Sequence, residues 1–548
     1  MRLSFLTQTS HCTVGKTKIK RASRLKSVRA AILGLALAGM STASNMALAD
    51  SHTSASMAER PEMRSVTGMI MLDYSTITLS NGGAFDLFGI HYLQRANDWL
   101  YYGVGAFAPM TRGDYGGFFG ADVTLHAQRD IGRNWFVNAG LSLGAAAGGN
   151  SVTGIRRLSG DGLYGRAYAG IGYRHRNLSF GVNYSRVVVA GSQIDDSTIN
   201  FFVQRPFAFS VGSYADAGSV LNSSEFNAPE QENIISVQVN NFAQINPTGS
   251  YTGDIGVAST QFTHFLNRDV YTFFAVDIGI TGLHWYNQAH GGIGRRFRLS
   301  PRLSLYGQIG IGSSGWVTDT VDTGPGLIVY PKATLEYNVN DRVGATLSAG
   351  YLFAPLGTSR NWTVGLGMNY HLSQRPREGS AAVSGMDYNL RGIRLNVFGR
   401  ATSSIFYNGR ETEGISMIAV QADYMLNEHW YLAGQIAAAT TPFRGYAGYA
   451  EGFVGAGWQS NAYFSGRLQG YAQLLVGLND VGVDPAHEVG ALLYPAVGFS
   501  YHMNDRLSLY GQLGTAVSLG QYMGTHTNSF ENYSIGLGVS YRFSLPTR

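Results

Sequence analysis

Phe119-Gly120-Ala121-Asp122-Val123-Thr124-Leu125-His126-Ala127-Gln128 alternates without a break. Phe, Ala, Val, Leu and Ala fall on one side, and Gly, Asp, Thr, His and Gln on the other. A period of two places the two sets on opposite faces of a β-strand. Near the other end of the chain, Leu493, Val497, Phe499 and Tyr501 alternate in the same way with Tyr494, Ala496, Gly498, Ser500 and His502. From about residue 64 onward the pattern is strand after strand, and helical periodicity is absent beyond the N-terminal segment.

Compact polar turns punctuate the strands, most followed by an aromatic residue or Leu. They centre on Asn97-Asp98, Gly132-Arg133, Arg176-Asn177, Asn267-Arg268, Pro301-Arg302, Asn340-Asp341, Asn427-Glu428, Ser460-Asn461 and Asn504-Asp505. Longer Gly/Ser/Asp-rich loops, such as 148–162, 317–326 and 479–490, lie between them. Short turns alternating with long loops predict an up-and-down antiparallel barrel with each kind of connection at its own end. The turns also recur: Asn97, Asn267 and Asn427 form one series, and Asn177, Asn340 and Asn504 another. Such self-similarity signals internal repetition, and Arg302-Leu303-Ser304-Leu305-Tyr306-Gly307-Gln308 recurs letter for letter at Arg506 to Gln512. The expected layout is three units of eight strands at 64–212, 233–373 and 392–546, joined by linkers at 213–232 and 374–391.

Composition indicates which solvent meets the apolar faces. Of 548 residues only 14% are charged, against a norm of roughly 25%, and glycine supplies 71 positions. A mean hydropathy of −0.04 excludes a bundle of membrane helices. The strands run to lengths that suit a tilted membrane strand better than a globular one. Aromatic residues gather where strands meet turns: Tyr92, Trp99, Trp135, Tyr173, Tyr337, Trp430, Tyr463 and Tyr501. Girdles of this kind sit at membrane–water interfaces, and we read Trp99, Trp135, Tyr173, Tyr337, Trp430 and Tyr501 as membrane-interface aromatics.

The formal charge of +5 invites a nucleic-acid reading, but the charge is unevenly placed. Residues 2–29 carry eight Lys and Arg and no acidic residue, followed by an apolar run from Ala30 to Met40 and the small-x-small stretch Ala47-Leu48-Ala49. This is the pattern of an export signal over 1–49, with cleavage near Ala49 and an N-terminal linker at 50–63. The remaining 32 basic residues then face 35 acidic ones, a balance of −3. The nucleic-acid reading falls with that subtraction. Cys12, the single cysteine, leaves with the signal.

Gly536-Leu537-Gly538-Val539-Ser540-Tyr541-Arg542-Phe543 resembles the C-terminal assembly signal of bacterial outer-membrane proteins, with Gly538, Tyr541 and Phe543 in its key places. Gly365-Leu366-Gly367-Met368-Asn369-Tyr370-His371-Leu372 repeats the form with Gly367, Tyr370 and Leu372. Each unit is similar in length and layout to small barrels of the OmpA, OmpX and OmpW type. The resemblance implies the outer membrane of a Gram-negative bacterium, outer-membrane lipid and lipopolysaccharide as surroundings, and the barrel-assembly machinery as a biogenesis partner. The closing strand in mid-chain and the small inward residues of runs such as Asn138, Gly140, Ser142 and Gly144 favour three tandem narrow barrels. One 24-stranded barrel is the alternative.

Candidate sites are few. Asp480, Asp484, His487 and Glu488 could offer oxygens to a hard cation, though their spacing matches no calcium loop. His371-Leu372-Ser373 has the His-x-Ser form of outer-membrane lipid deacylases but no evident Glu partner. Arg295, Arg296 and Arg298 beside the Pro301 turn fit either a lipid-phosphate site or ordinary snorkelling flanks. Lys332 and Glu336 share an inward face and read as members of a polar network filling a lumen. No catalytic residue, cofactor or metal is expected. The leading functional expectation is a non-enzymatic surface protein whose loops serve adhesion, envelope structure or ligand capture. The alternatives are a transport or secretion pore filled by a partner, and a barrel enzyme acting on lipid or peptide.

Overall fold

A computed structural model describes residues 63–547 apart from 81, 114, 148–161, 223–231, 284–285, 316–319, 341, 374–386, 408–409, 441–448, 482–487 and 522–529. The expected export signal with its Ala49 cleavage point, and Asp484 and His487, lie outside the described residues.

The described residues form strands and no helix. The first barrel comprises β1 (Arg64–Thr78), β2 (Ala84–Arg95), β3 (Leu100–Ala108), β4 (Phe119–Asp130), β5 (Trp135–Ala147), β6 (Gly162–His175), β7 (Leu178–Val189) and β8 (Asp195–Val211), closed by β1 on β8. A short β9 (Val220–Asn222) follows. The second barrel comprises β10 (Asn233–Gln244), β11 (Ile255–Phe265), β12 (Val270–Thr281), β13 (Asn287–Arg298), β14 (Leu303–Gly315), β15 (Leu327–Asn338), β16 (Val343–Phe353) and β17 (Arg360–Ser373), closed by β10 on β17. In the third, β18 (Asp387–Thr402) is followed by a small hairpin of β19 (Phe406–Tyr407) and β20 (Arg410–Glu411). The barrel continues through β21 (Ser416–Met425), β22 (Trp430–Ala439), β23 (Ala450–Tyr463), β24 (Leu468–Val481), β25 (Glu488–His502), β26 (Leu507–Gln521) and β27 (Phe530–Thr547). Pairing of β18 with β27 closes it. The chain is thus three eight-stranded antiparallel barrels, and the single 24-stranded alternative is excluded by the three closures.

Each wall is apolar outside and polar inside. Along β4, Phe119, Val123 and Leu125 point out and are exposed, while Asp122, Thr124 and His126 are buried inside. Outward residues on other strands, such as Leu141, Trp362, Leu366 and Leu537, are each more than 60% exposed. A soluble barrel would bury such residues; a continuous outward apolar wall over a polar lumen is the arrangement of a transmembrane barrel. The doubled glycine content follows from the narrow lumen. A Cβ on Gly140 would lie 2.2 Å from the Tyr168 ring, one on Gly294 2.2 Å from Tyr271, and one on Gly457 2.2 Å from Tyr431. In each barrel an inward aromatic lies flat over a neighbouring glycine, and no other residue fits beneath it.

The short turns explain why Asn recurs. Asn97 Oδ1 accepts from the backbone N–H groups of Trp99 (3.0 Å) and Leu100 (2.9 Å). Asn267, Asn340, Asn427 and Asn504 accept in the same way, two and three residues on, at 2.8–3.0 Å. This Asx geometry holds the turn closed without help from the rest of the fold. Asn97, Asn267 and Asn427 occupy the same position in the three barrels, between the second and third wall strands. Asn340 and Asn504 both lie between the sixth and seventh.

Three expectations change. The turn placed at Ser460-Asn461 falls within β23; the chain reverses at Phe464–Arg467, where Phe464 and Ser465 have φ of 51° and 57°, and Ser460 marks a bulge between Gln459 and Ala462. The stretch 213–232 is more than a linker, since β9 within it pairs with β18. β18 itself starts at Asp387, inside the stretch expected as the second linker.

The barrels also touch. Gly212 and Ser544 form a bridge between the end of the first barrel and the last strand. The loop after β3 meets the loop between β14 and β15: Ser313 Oγ donates to the Pro109 carbonyl at 2.6 Å, and the Leu327 N–H to that of Met110 at 3.0 Å. Buried Asp86 shapes the first of these loops by accepting from the backbone N–H groups of Met110, Thr111 and Arg112.

Candidate functional site in the barrel interiors

With walls meeting lipid, chemistry is confined to the lumens and the loops. The long-loop end of the first barrel is sealed by Ile77, Phe85, Phe107, Phe118 and Tyr164, all buried. Beneath them sits a charged layer: Asp73 accepts from His91 Nε2 and from Arg166 Nη1, both at 2.9 Å. Asp122 Oδ1 accepts from Thr124 Oγ1 at 2.6 Å. A second apolar layer of Met71, Leu93, Phe136 and Phe202 follows. Beside it, at the short-turn end, the lumen opens into a cavity of about 1000 Å³.

The second barrel has the same apolar seal at the long-loop end, from Phe242, Val257, Tyr286, Ile328 and Tyr330. Asp277 in its middle accepts from Ser259 and Gln288. Lys332 and Glu336 are both buried in this lumen, as members of separate networks. Lys332 Nζ donates to Gln238 Oε1 at 3.3 Å, and Glu336 belongs to the floor. There Arg296 Nη1 donates to Glu232 Oε1 at 2.7 Å, His371 bridges Glu232 (Nδ1, 3.1 Å) and Glu336 (Nε2, 3.0 Å), and Asn369 and Tyr306 donate to Glu336 at 2.6 Å.

Two expectations are corrected at this floor. His371 has carboxylate partners after all, Glu232 and Glu336, contributed by residues distant in sequence. Both of its ring nitrogens are engaged by carboxylates, which clamps the imidazole in place. The three arginines do not all share one face. Arg296 points into the lumen over the Phe265 ring (4.1 Å), while Arg295 lies on the outer face over Phe297 (5.4 Å). The inward position of Arg296 was visible in strand parity, because Gln288, His290, Gly292 and Gly294 share its side of β13.

In the third barrel Arg394 donates to Asp423 (3.0 Å) and to Gln459 (2.7 Å), and Arg400 pairs with Glu451. Its floor is borrowed. Tyr214, from the segment after β8, packs against the buried cluster of this barrel with Arg542 5.2 Å from its ring. Ser213 Oγ donates to Asp505 at 2.5 Å, and the Gly218 N–H to the Leu390 carbonyl at 2.7 Å. Removing one member of such a buried charge pair would leave the other uncompensated. Among the described residues no group of His, Cys, Asp and Glu is arranged to hold a metal ion.

The residues singled out at strand ends have definite places. Trp99, Trp135, Tyr337, Trp430 and Tyr501 are exposed, and Tyr173 is half-buried with its ring edge-on to Trp135 at 5.1 Å. Tyr541 and Phe543 face outward on β27, whereas Gly538 lies beside Phe398 on the inner side. The Tyr541 hydroxyl accepts from Gln94 of the first barrel at 2.9 Å, with Tyr102 edge-on at 6.5 Å. Tyr370 approaches Tyr424 of the third barrel at 6.5 Å. Gly367 lies against Gln238, and Leu372 is half-buried. The signal-like tyrosines therefore sit at junctions between barrels, a role that sequence spacing does not carry.

No protein-family model matches the chain, and no curated protein does. Solved structures resembling it are bacterial barrels. Neisserial surface protein A matches at 12% identity and a TM-score of 0.22, over 28% of this chain and 96% of that one. OpdQ of Pseudomonas aeruginosa matches at 10% and 0.20, over 88% and 98%. The copper transporter OprC matches at 11% and 0.28, over 89% and 82%. At such TM-scores these likenesses carry no argument about this chain, whose fold rests on its own strand pairing.

Proposed function

We propose that the chain is a non-enzymatic integral outer-membrane protein of a Gram-negative bacterium, a rigid three-barrel scaffold that presents long loops for adhesion, envelope structure or ligand capture. The observation that carries this reading is the double closure of the lumens. Buried apolar side chains fill the long-loop end of each barrel, those of the third including Ile405, Ile415 and Met417, and buried charge pairs cross each lumen. The contacts between the segment after β3 and that between β14 and β15 make a joint surface from two barrels. Lipid and lipopolysaccharide are the surroundings suited to the outward walls, and the assembly machinery is the partner suited to the terminal strand. In this orientation short turns face the periplasm and long loops the exterior.

Planar-bilayer recording of the purified full chain tests the reading: no openings, or only very small steps, are expected, and sustained nanosiemens openings would overturn it.

A further inference from the structure

The short-turn mouths of the three barrels differ. The second is closed by Glu232, Arg296, His371 and Glu336, and the third by the segment carrying Tyr214. Among the described residues none closes the first, which opens into a cavity of about 1000 Å³. Side chains from several strands of the wall converge on it. Asn138 on β5 is 4% exposed, yet among the described residues neither its amide nitrogen nor its amide oxygen has a hydrogen-bond partner. Such an orphaned amide is costly unless something outside the chain satisfies it. Gln128 and Gln204, also buried, add amides at the same level; each makes a long hydrogen bond, 3.4 Å to His126 and 3.7 Å to the Met71 sulfur. Ser179 adds a hydroxyl and Tyr101 a ring.

Charge gathers only at the rim. Arg174 pairs with Asp130 at 3.0 and 3.2 Å, and Arg95 with Asp98 at 2.9 Å. Arg129 and Arg176 complete the lining, so four arginines stand against two aspartates. A wall of amides and a hydroxyl, one aromatic face and a net positive rim suits a polyhydroxylated ligand bearing a carboxylate. Hydroxyl groups match amides, which both donate and accept. The apolar face of a sugar ring stacks on a tyrosine, and a guanidinium holds a carboxylate.

From this geometry we infer that the short-turn mouth of the first barrel is a binding site for an acidic saccharide, with Asn138, Gln128 and Gln204 reading its hydroxyls and the arginine-rich rim its carboxylate. The inference goes beyond the scaffold role. Only the side of the membrane on which the site opens depends on the outer-membrane reading.

The test is calorimetric titration of the purified full chain in detergent. The probe is the disaccharide of glucuronic acid and N-acetylglucosamine, and N,N′-diacetylchitobiose is its neutral counterpart. The acidic disaccharide is expected to bind, and the neutral one more weakly. Asn138→Leu should weaken binding about tenfold, the loss of one or two hydrogen bonds. Gln204→Leu, on β8, is a second variant should the first fail to fold, with heat-modifiable gel mobility as the check. Absence of binding at tens of millimolar would overturn the site. So would equal binding by correctly folded variants, or binding of inorganic phosphate with no preference for the sugar. Equal affinity for the two disaccharides would overturn the role of the rim. Because binding and conductance are measured separately, a channel would not rescue a failed titration, nor silence confirm a successful one.

Discussion

The second and third barrels solve one problem in two ways. Both have to close a short-turn mouth over a polar lumen. The second uses a charged clamp, in which Glu232 stands at its own threshold and Arg296 and His371 come from its own wall. The third uses a lid borrowed from the segment between the other two barrels, with the Tyr214 ring as its wedge. A charged clamp is specific and brittle, because any single loss strands a buried ion. A borrowed lid is tolerant locally, but its position depends on β9, Gly212 and the register of β27.

Substitutions can sharpen or break this contrast. The largest effect is expected for Arg296→Met, which leaves Glu232 with His371 alone and should cost about 3–5 kcal/mol of folding stability. Urea titration read by tryptophan fluorescence would measure it. Adding Glu232→Leu should recover most of the loss, since a well-packed apolar pair often replaces a buried ion pair without penalty. A second change that deepens the loss would show that the clamp is more than a balanced pair.

Tyr214→Ala should cost less, about 1–2 kcal/mol for a half-buried ring, and its signature should be local. Hydrogen exchange should quicken at Leu390 and along the β9–β18 pairing while the walls of the first two barrels keep their protection. Uniform loss of protection would mean that the lid supports the whole assembly. The smallest effects belong to the turns. Asn504→Ala removes one acceptor from two exposed N–H groups and should cost about 1 kcal/mol. Asn340→Ala should match it within a few tenths, and a large difference would show that equivalent turns are not interchangeable.

Much of the wall was legible in the chain. Alternation along Phe119–Gln128 separates lipid face from lumen face, and the recurring Asn turns locate the reversals, because both are set by neighbours within a few residues. Ser460-Asn461 misled for a reason that is also local: a polar pair in a bulge looks like a polar pair in a turn. What the chain conceals is everything that depends on closure. Glu232 and His371 are 139 residues apart and meet only because β10 pairs with β17. β9 is three residues long and strand-forming only against β18. The lumen partners Asp73 and Arg166 come from β1 and β6, three strands apart around the closed barrel, so parity reveals that each points inward but not that they meet.

The last residues of the chain have a consequence for the order of events during biogenesis. Ser544 to Thr547 extend β27 past its signal-like residues, pairing with Asn389 to Gly392 and bridging Gly212. The terminal strand thus seals the third cylinder and fastens the strap that crosses beneath it in one stroke. Until that strand arrives, the first two cylinders can be complete while the strap between them is still unfastened. Removing Ser544 to Thr547 should therefore unfasten the strap and the edge of the third cylinder while the pairings that close the first two cylinders stay intact.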